Sequence, residues 1–197
     1  FEYGEDMSFG TDSTVTATTS LTGDDTTAVS ATISGLDPGT TYNYRVVASS
    51  GDGTTTGDLQ ATTTNSALPQ ATAEPASAIS TNQATLNATV NPGGASTTAD
   101  ALFGRASGSA QYPFPLGTVE SDLDTDSSLS ITTSDTLQPS TEYRYWVEAS
   151  NSAGTAESPD TTYFSTDNVA PAAADDSETI DEDSTVTIDV LANDRDV

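Results

Sequence analysis

The residues best suited to chemistry are acids crowded toward the C-terminal end of the chain. Asp175, Asp176, Asp181, Glu182, Asp183, Asp189, Asn193, Asp194 and Asp196 all fall between 175 and 196. A calcium ion collects several carboxylate and carbonyl oxygens in a flexible cage. Asp175, Asp176, Glu182, Asp194 and Asp196 are therefore the candidate calcium ligands. The EF-hand spacing, with its fixed glycine and closing glutamate, is missing, so the same acids read equally well as a solvated acidic linker. Asp122, Asp124 and Asp126 form a second, weaker acidic group. Trp146, the only tryptophan, offers a stacking face for a sugar or a protein, or a surface for packing against another part of the molecule. Asn87-Ala88-Thr89 is a lone N-glycosylation sequon, which makes Asn87 a candidate attachment point.

The residue types that are missing narrow the chemistry further. With no cysteine and no histidine, disulfide staples, Cys/His zinc sites and serine nucleophiles with a histidine base are excluded. There is no lysine, so lysine–asparagine isopeptide cross-links are excluded as well. Four arginines face 30 acids, a net charge of −26. That balance repels nucleic acid and anionic membranes, and it favours cations such as Ca²⁺. The acidity suits solubility of a Thr/Ser/Asp-rich secreted protein, and adaptation to high salt is a second reading. Nothing suggests a cleft with paired carboxylates, so neither an enzyme nor an organic cofactor is expected. No apolar run approaches membrane-spanning length. No charged-then-apolar leader opens the chain, which reads as a mature chain or a piece of a longer one.

The elements that must position these residues announce themselves by repetition. Leu36, Pro38, Thr40, Tyr42, Tyr44, Val46, Ala48 and Ser49 recur 101 positions later as Leu137, Pro139, Thr141, Tyr143, Tyr145, Val147, Ala149 and Ser150. In each copy leucine and proline lead into an alternating strand that opens with tyrosine. This is the pattern of a sandwich corner, where a tyrosine hydroxyl bonds back to the backbone just upstream. Tyr42 and Tyr143 are the candidate corner tyrosines. Period-two alternation dominates the chain and no helical period holds, so the fold class is all-β.

In the first copy, Val29, Ala31 and Ile33 alternate as a predicted strand ahead of the one starting near Tyr42. In the second, Ala84, Leu86, Ala88 and Val90 alternate, then Ala99, Ala101 and Phe103, then Leu129 and Ile131. The stretch from Arg105 to Asp126, with Pro113 and Pro115, is predicted to be a loop. Tyr143, Tyr145, Val147 and Ala149 share the inward parity, which turns Arg144, Trp146 and Glu148 outward. About seven strands result, the number in an immunoglobulin-like sandwich.

The strings LDPGTTYNYRVVASSGDGTT and LQPSTEYRYWVEASNSAGTA resemble the F strand and following turn of fibronectin type III modules. NATVNPGG and FEYG resemble strands B and C of the variety found along secreted prokaryotic surface proteins. Strand B lacks the tryptophan common in animal modules. The string NVAPAAADDSETIDEDSTVTIDVLANDRDV resembles the opening of a cadherin-like adhesin repeat. The resemblance implies tandem immunoglobulin-like sandwiches in three parts. Residues 1–65 would be a module lacking its first strands, 66–167 a complete module, and 168–197 a linker and the first strand of a cadherin-like repeat.

The function implied is that of an extracellular stalk or adhesin in a large cell-surface protein. An extracellular filament assembled head to tail, with strand donation by Thr185–Leu191, is the alternative. Carbohydrate-binding accessory modules are a weaker one. The expected partners are neighbouring modules, identical subunits, or a cell-surface or carbohydrate ligand.

Overall fold

Alternation gives a strand one apolar face, and that face can be hidden only against a second layer. The two copies of the repeat meet this demand to different degrees. The computed structural model describes residues 1–9, 14–17, 21–23, 25–109, 112–120, 124–134 and 136–195. Among them every regular element is a β-strand.

The first copy contributes β1 (Glu2–Gly4), β2 (Thr41–Arg45), β3 (Val47–Ser50), β4 (Gly53–Thr56) and β5 (Gln60–Thr63). β2 lies between β1 and β5, and β3 pairs with β4 through the Gly51-Asp52 tip. Arg45 ties β1 to β2 by a 2.7 Å ion pair with Glu2. Val29, Ala31 and Ile33 are half-buried while Ser30, Thr32 and Ser34 are exposed. The predicted alternation is therefore there, but the strand is not. In the second copy the matching strand is held by a ladder to its neighbour. Among the described residues of the first copy, nothing occupies that neighbour's place.

The second copy is a closed sandwich. One sheet has the order β10-β7-β6, from β6 (Gln70–Ser77), β7 (Thr85–Asn91) and β10 (Ser127–Thr132). The other has the order β12-β11-β8-β9, with β13 also paired to β11. It is built from β8 (Thr97–Arg105), β9 (Tyr112–Val119), β11 (Glu142–Asn151), β12 (Gly154–Glu157) and β13 (Thr162–Ser165). This is the strand arrangement of a fibronectin type III sandwich, and β1, β2 and β5 repeat part of its larger sheet. The chain is thus all-β, with tandem immunoglobulin-like units.

Leu86, Ala88 and Val90 from one sheet meet Ala99, Ala101, Tyr145, Val147 and Ala149 from the other, all of them nearly or wholly buried. Half of these side chains are alanine, so the larger Leu, Val, Tyr and Phe side chains fill most of the layer between the sheets. Phe103, Tyr143 and Phe164 stack at one end with centroids 5.2 to 6.1 Å apart. Contacts of this kind contribute about 1 kcal/mol each beyond their burial.

One prediction is corrected here. The segment containing Pro113 and Pro115 is an edge strand, β9, paired to β8 over most of its length. Proline is tolerated at an edge because its missing N–H need not serve a ladder. The two prolines share one parity, opposite Leu102 and Asp100. A register shift between Ala99 and Asp100 then resets the strand, so that Leu116 and Val119 both turn inward. Thr185–Leu191, by contrast, does not form the predicted strand, and its apolar residues lie exposed.

Candidate functional site

Each corner is built the same way. The Tyr42 hydroxyl accepts the Asp37 N–H at 3.0 Å, and the Tyr143 hydroxyl accepts the Gln138 N–H at 2.9 Å. A threonine just beyond the last strand completes each lock. The Thr64 hydroxyl donates to the Asp37 carbonyl and accepts the Thr40 N–H. Thr166 does the same for the Gln138 carbonyl and the Thr141 N–H. Sequence reasoning found the tyrosines and missed the threonines, whose only signal was their recurrence after the final strand.

Tyr145 is the most constrained polar group. Its side chain is fully buried, yet its hydroxyl crosses the core to the backbone of the opposite sheet. It donates to the Glu74 carbonyl and lies 3.1 Å from the Asn87 N–H, which donates to it. These backbone groups flank a register shift between Glu74 and Ser77, where Pro75 interrupts the ladder. The phenol thus substitutes for a missing strand neighbour. Burial pushes its pKa above the ordinary tyrosine value, reinforced by the Glu74 charge and opposed by the bond to Asn87. Proline in β6 and tyrosine at a core parity were the available signals.

Asn87 belongs to the same device. Its side-chain nitrogen, the atom a glycan would use, donates to the Pro75 carbonyl at 2.8 Å and to the Ser77 hydroxyl at 3.0 Å. Trp146 lies on the outer face, opposite Leu102, which in turn faces Pro113. It is half-buried, and its indole nitrogen and the neighbouring Arg144 Nε are out of contact with solvent. Neither nitrogen has an acceptor among the described residues. The Arg144 guanidinium also donates to the Gly108 carbonyl at 3.2 Å.

The acidic candidates do not converge. Among the described residues no group of three or more carboxylates comes together. Asp175, Asp176 and Glu182 are exposed. Asp194 accepts the Ala174 N–H at 2.8 Å, while Ala172 and Arg195 exchange backbone bonds that close the segment into a loop. Asp196 lies outside the described residues, as does Asp122 in the weaker group.

The first copy carries an open concavity. A groove of about 580 Å³ is lined by Phe1, Val15, Leu21, Val29, Val46 and Val47, among others. It lies on the face of β3 that has no opposing sheet among the described residues.

No protein-family model matches the sequence, and no curated protein is similar to it at a significant level. Among solved structures, the chain is similar to the sensor domain of the anti-sigma factor RsgI4 from Pseudobacteroides cellulosolvens. That match has 22% identity and a TM-score of 0.40, over 51% of this chain and 96% of that one. It is also similar to the FN1–FN3 domains of chicken CNTN1, at 20% identity and a TM-score of 0.42, over 67% of this chain and 46% of that one. Domains A168–A170 of titin match at 16% identity and a TM-score of 0.35, over 65% and 41% of the two chains.

Proposed function

We propose that this chain is a non-enzymatic spacer from an extracellular surface protein, in which tandem sandwiches hold their neighbours apart. The carrying observation is the corner lock made twice with the same atoms, 101 residues apart, on a surface of overwhelmingly one charge. Such a lock stiffens each unit locally, and like charge keeps separate chains apart. The division at 65 and 167 follows this reading, with neighbouring modules as the first partners. Sedimentation and light scattering of the purified chain test it. A monomer with the high frictional ratio of an elongated particle is expected, and growth with concentration would reject it.

The second reading is a filament subunit. What favours it is the apolar groove of the first copy together with the exposed alternation of Val186, Ile188 and Val190. Those residues have the spacing of Leu86, Ala88 and Val90 in β7, a strand with no counterpart among the described residues of the first copy. A strand of that pattern can add to an open sheet edge. Deleting residues 178–197 would then convert an oligomer into a monomer. An unchanged oligomeric state after the deletion excludes donation by this segment.

A further inference from the structure

The two corners share a backbone and differ in the side chain after the proline. Gly39 and Ser140 hold the same place in the repeat, and both take a left-handed conformation, with φ of +60° and +47°. Gly39 donates its N–H to Asn65, and Ser140 donates its own to Asp167, each at 3.2 Å. Their surroundings are not alike. A β-carbon on Gly39 would stand 1.9 Å from the Gly94 carbonyl oxygen. One on Gly94 would stand 2.3 Å from the Pro38 carbonyl oxygen. Gly94 ends the Asn91-Pro92-Gly93-Gly94 turn between β7 and β8, so two bare backbones meet where the copies join.

The intervening linker is pinned from both sides. Thr64 is held by the first corner, as described above. Ala67 donates to the Gly93 carbonyl at 2.9 Å and accepts from the Asn151 side chain at 2.9 Å. The same Asn151 nitrogen reaches the Pro92 carbonyl at 2.8 Å, and the Ser66 and Ser152 hydroxyls lie 3.2 Å apart.

We infer that the Pro38-Gly39 corner is a docking surface for a glycine turn, and that it locks the two copies into one rigid body. The second corner rejects such a partner. Ser140 carries a β-carbon at the position where Gly39 tolerates none, and its hydroxyl is engaged with the Asn168 side chain at 2.6 Å. Residues 173–193 beyond it are exposed throughout. The first joint is therefore stiff and the second is free, whichever assembly the chain belongs to. Modules joined without such a lock move relative to one another by default.

The chain has no cysteine, so paired spin labels at Thr55→Cys and Ser130→Cys report the first joint cleanly. Labels at Ser130→Cys and Ser184→Cys report the second. The unsubstituted corner should give a narrow distance distribution across the first joint and a broad one across the second. Gly39→Ala and Gly94→Ala, which approach the contact from opposite sides, should each broaden the first by about twofold or more. Gly35→Ala is the control. It has φ of +74° with nothing within 4 Å of an added β-carbon, so it strains the backbone without touching the joint. Trp146 fluorescence confirms that the second copy is folded in every variant. A broad first joint in the parent chain would overturn the inference. So would a narrow one in both glycine variants, equal broadening by Gly35→Ala, or a narrow second joint.

Discussion

The two copies of the repeat place matching residues in very different surroundings. Tyr42 and Tyr143 are both buried, at 8% and 5% exposure, yet Val46 is 39% exposed where Val147 is fully buried. Ala48 is exposed and Ala149 buried, and Tyr44 is half-buried where Tyr145 is sealed. A sandwich corner needs only its own turn, the strand after it and the final strand, so it forms in either copy. Burial of the rest of that strand needs a facing sheet. Only the second copy has one among the described residues. The strand itself reflects this difference, because β11 runs unbroken through Val147 whereas its counterpart is split at Val46 into β2 and β3. Part of the contrast lies in the side chains. Tyr143 pairs with Phe164 across its strand, but Tyr42 pairs with Thr62.

The sharpest test substitutes the matched valines. Val147→Ala removes two methyl groups from a sealed core and should cost about 2 to 3 kcal/mol. Val46→Ala should change stability by no more than about 0.5 kcal/mol. Denaturant titration checks both, with Trp146 emission reporting the second copy alone. Equal losses would mean that the first copy closes its core in some other way.

Tyr145→Phe should follow, at about 1 to 3 kcal/mol, because the Glu74 carbonyl and the Asn87 N–H would lose their shared partner. Tyr44→Phe should be nearly silent. The raised Tyr145 pKa adds a pH signature. The folded phenol holds its proton where the unfolded one, with an ordinary value near 10, releases it. Its contribution is therefore complete below that value and is lost as pH rises through the folded pKa. The alkaline decline in denaturant midpoint should be shallower in Tyr145→Phe, and an identical decline would count against the buried hydroxyl.

Tyr143→Phe and Tyr42→Phe should cost the same, about 1 kcal/mol each, since the corner bond is local in both copies. Unequal costs would show that the corner senses the facing sheet.

The smallest effect is expected from calcium. Should the acids of 175–194 bind the ion, the tail would gain order and the melting transition would rise through mass action, leaving the second-copy core untouched. Calorimetry in calcium and in chelator checks this, and superimposable traces would leave the acids as a solvated linker.

Much of the second copy was legible residue by residue. Leu86, Ala88 and Val90 alternate because a strand turns successive side chains to opposite faces, and the same rule put Trp146 outside and Tyr145 inside. The corner tyrosines were legible because their bonding partners lie five residues upstream, within reach of local pattern. β9 was not. Two prolines argue against a strand until its edge position is known, and edge position belongs to the sheet rather than to the segment. The partners of Tyr145 lie 58 and 71 residues away, beyond any local signal. Val29, Ala31 and Ile33 carry the pattern of a strand without becoming one, because a ladder needs a neighbour as well as alternation.

The sequence alone determined the all-β class, the repeat, the inward and outward parities and the two corners, since each depends on chirality, pleat or short-range hydrogen bonding. Only the tertiary structure decided how Tyr145 repairs the gap at Pro75 and why Gly39 and Gly94 have no side chain. Those outcomes depend on which distant backbones approach one another, and no spacing along the chain records that distance.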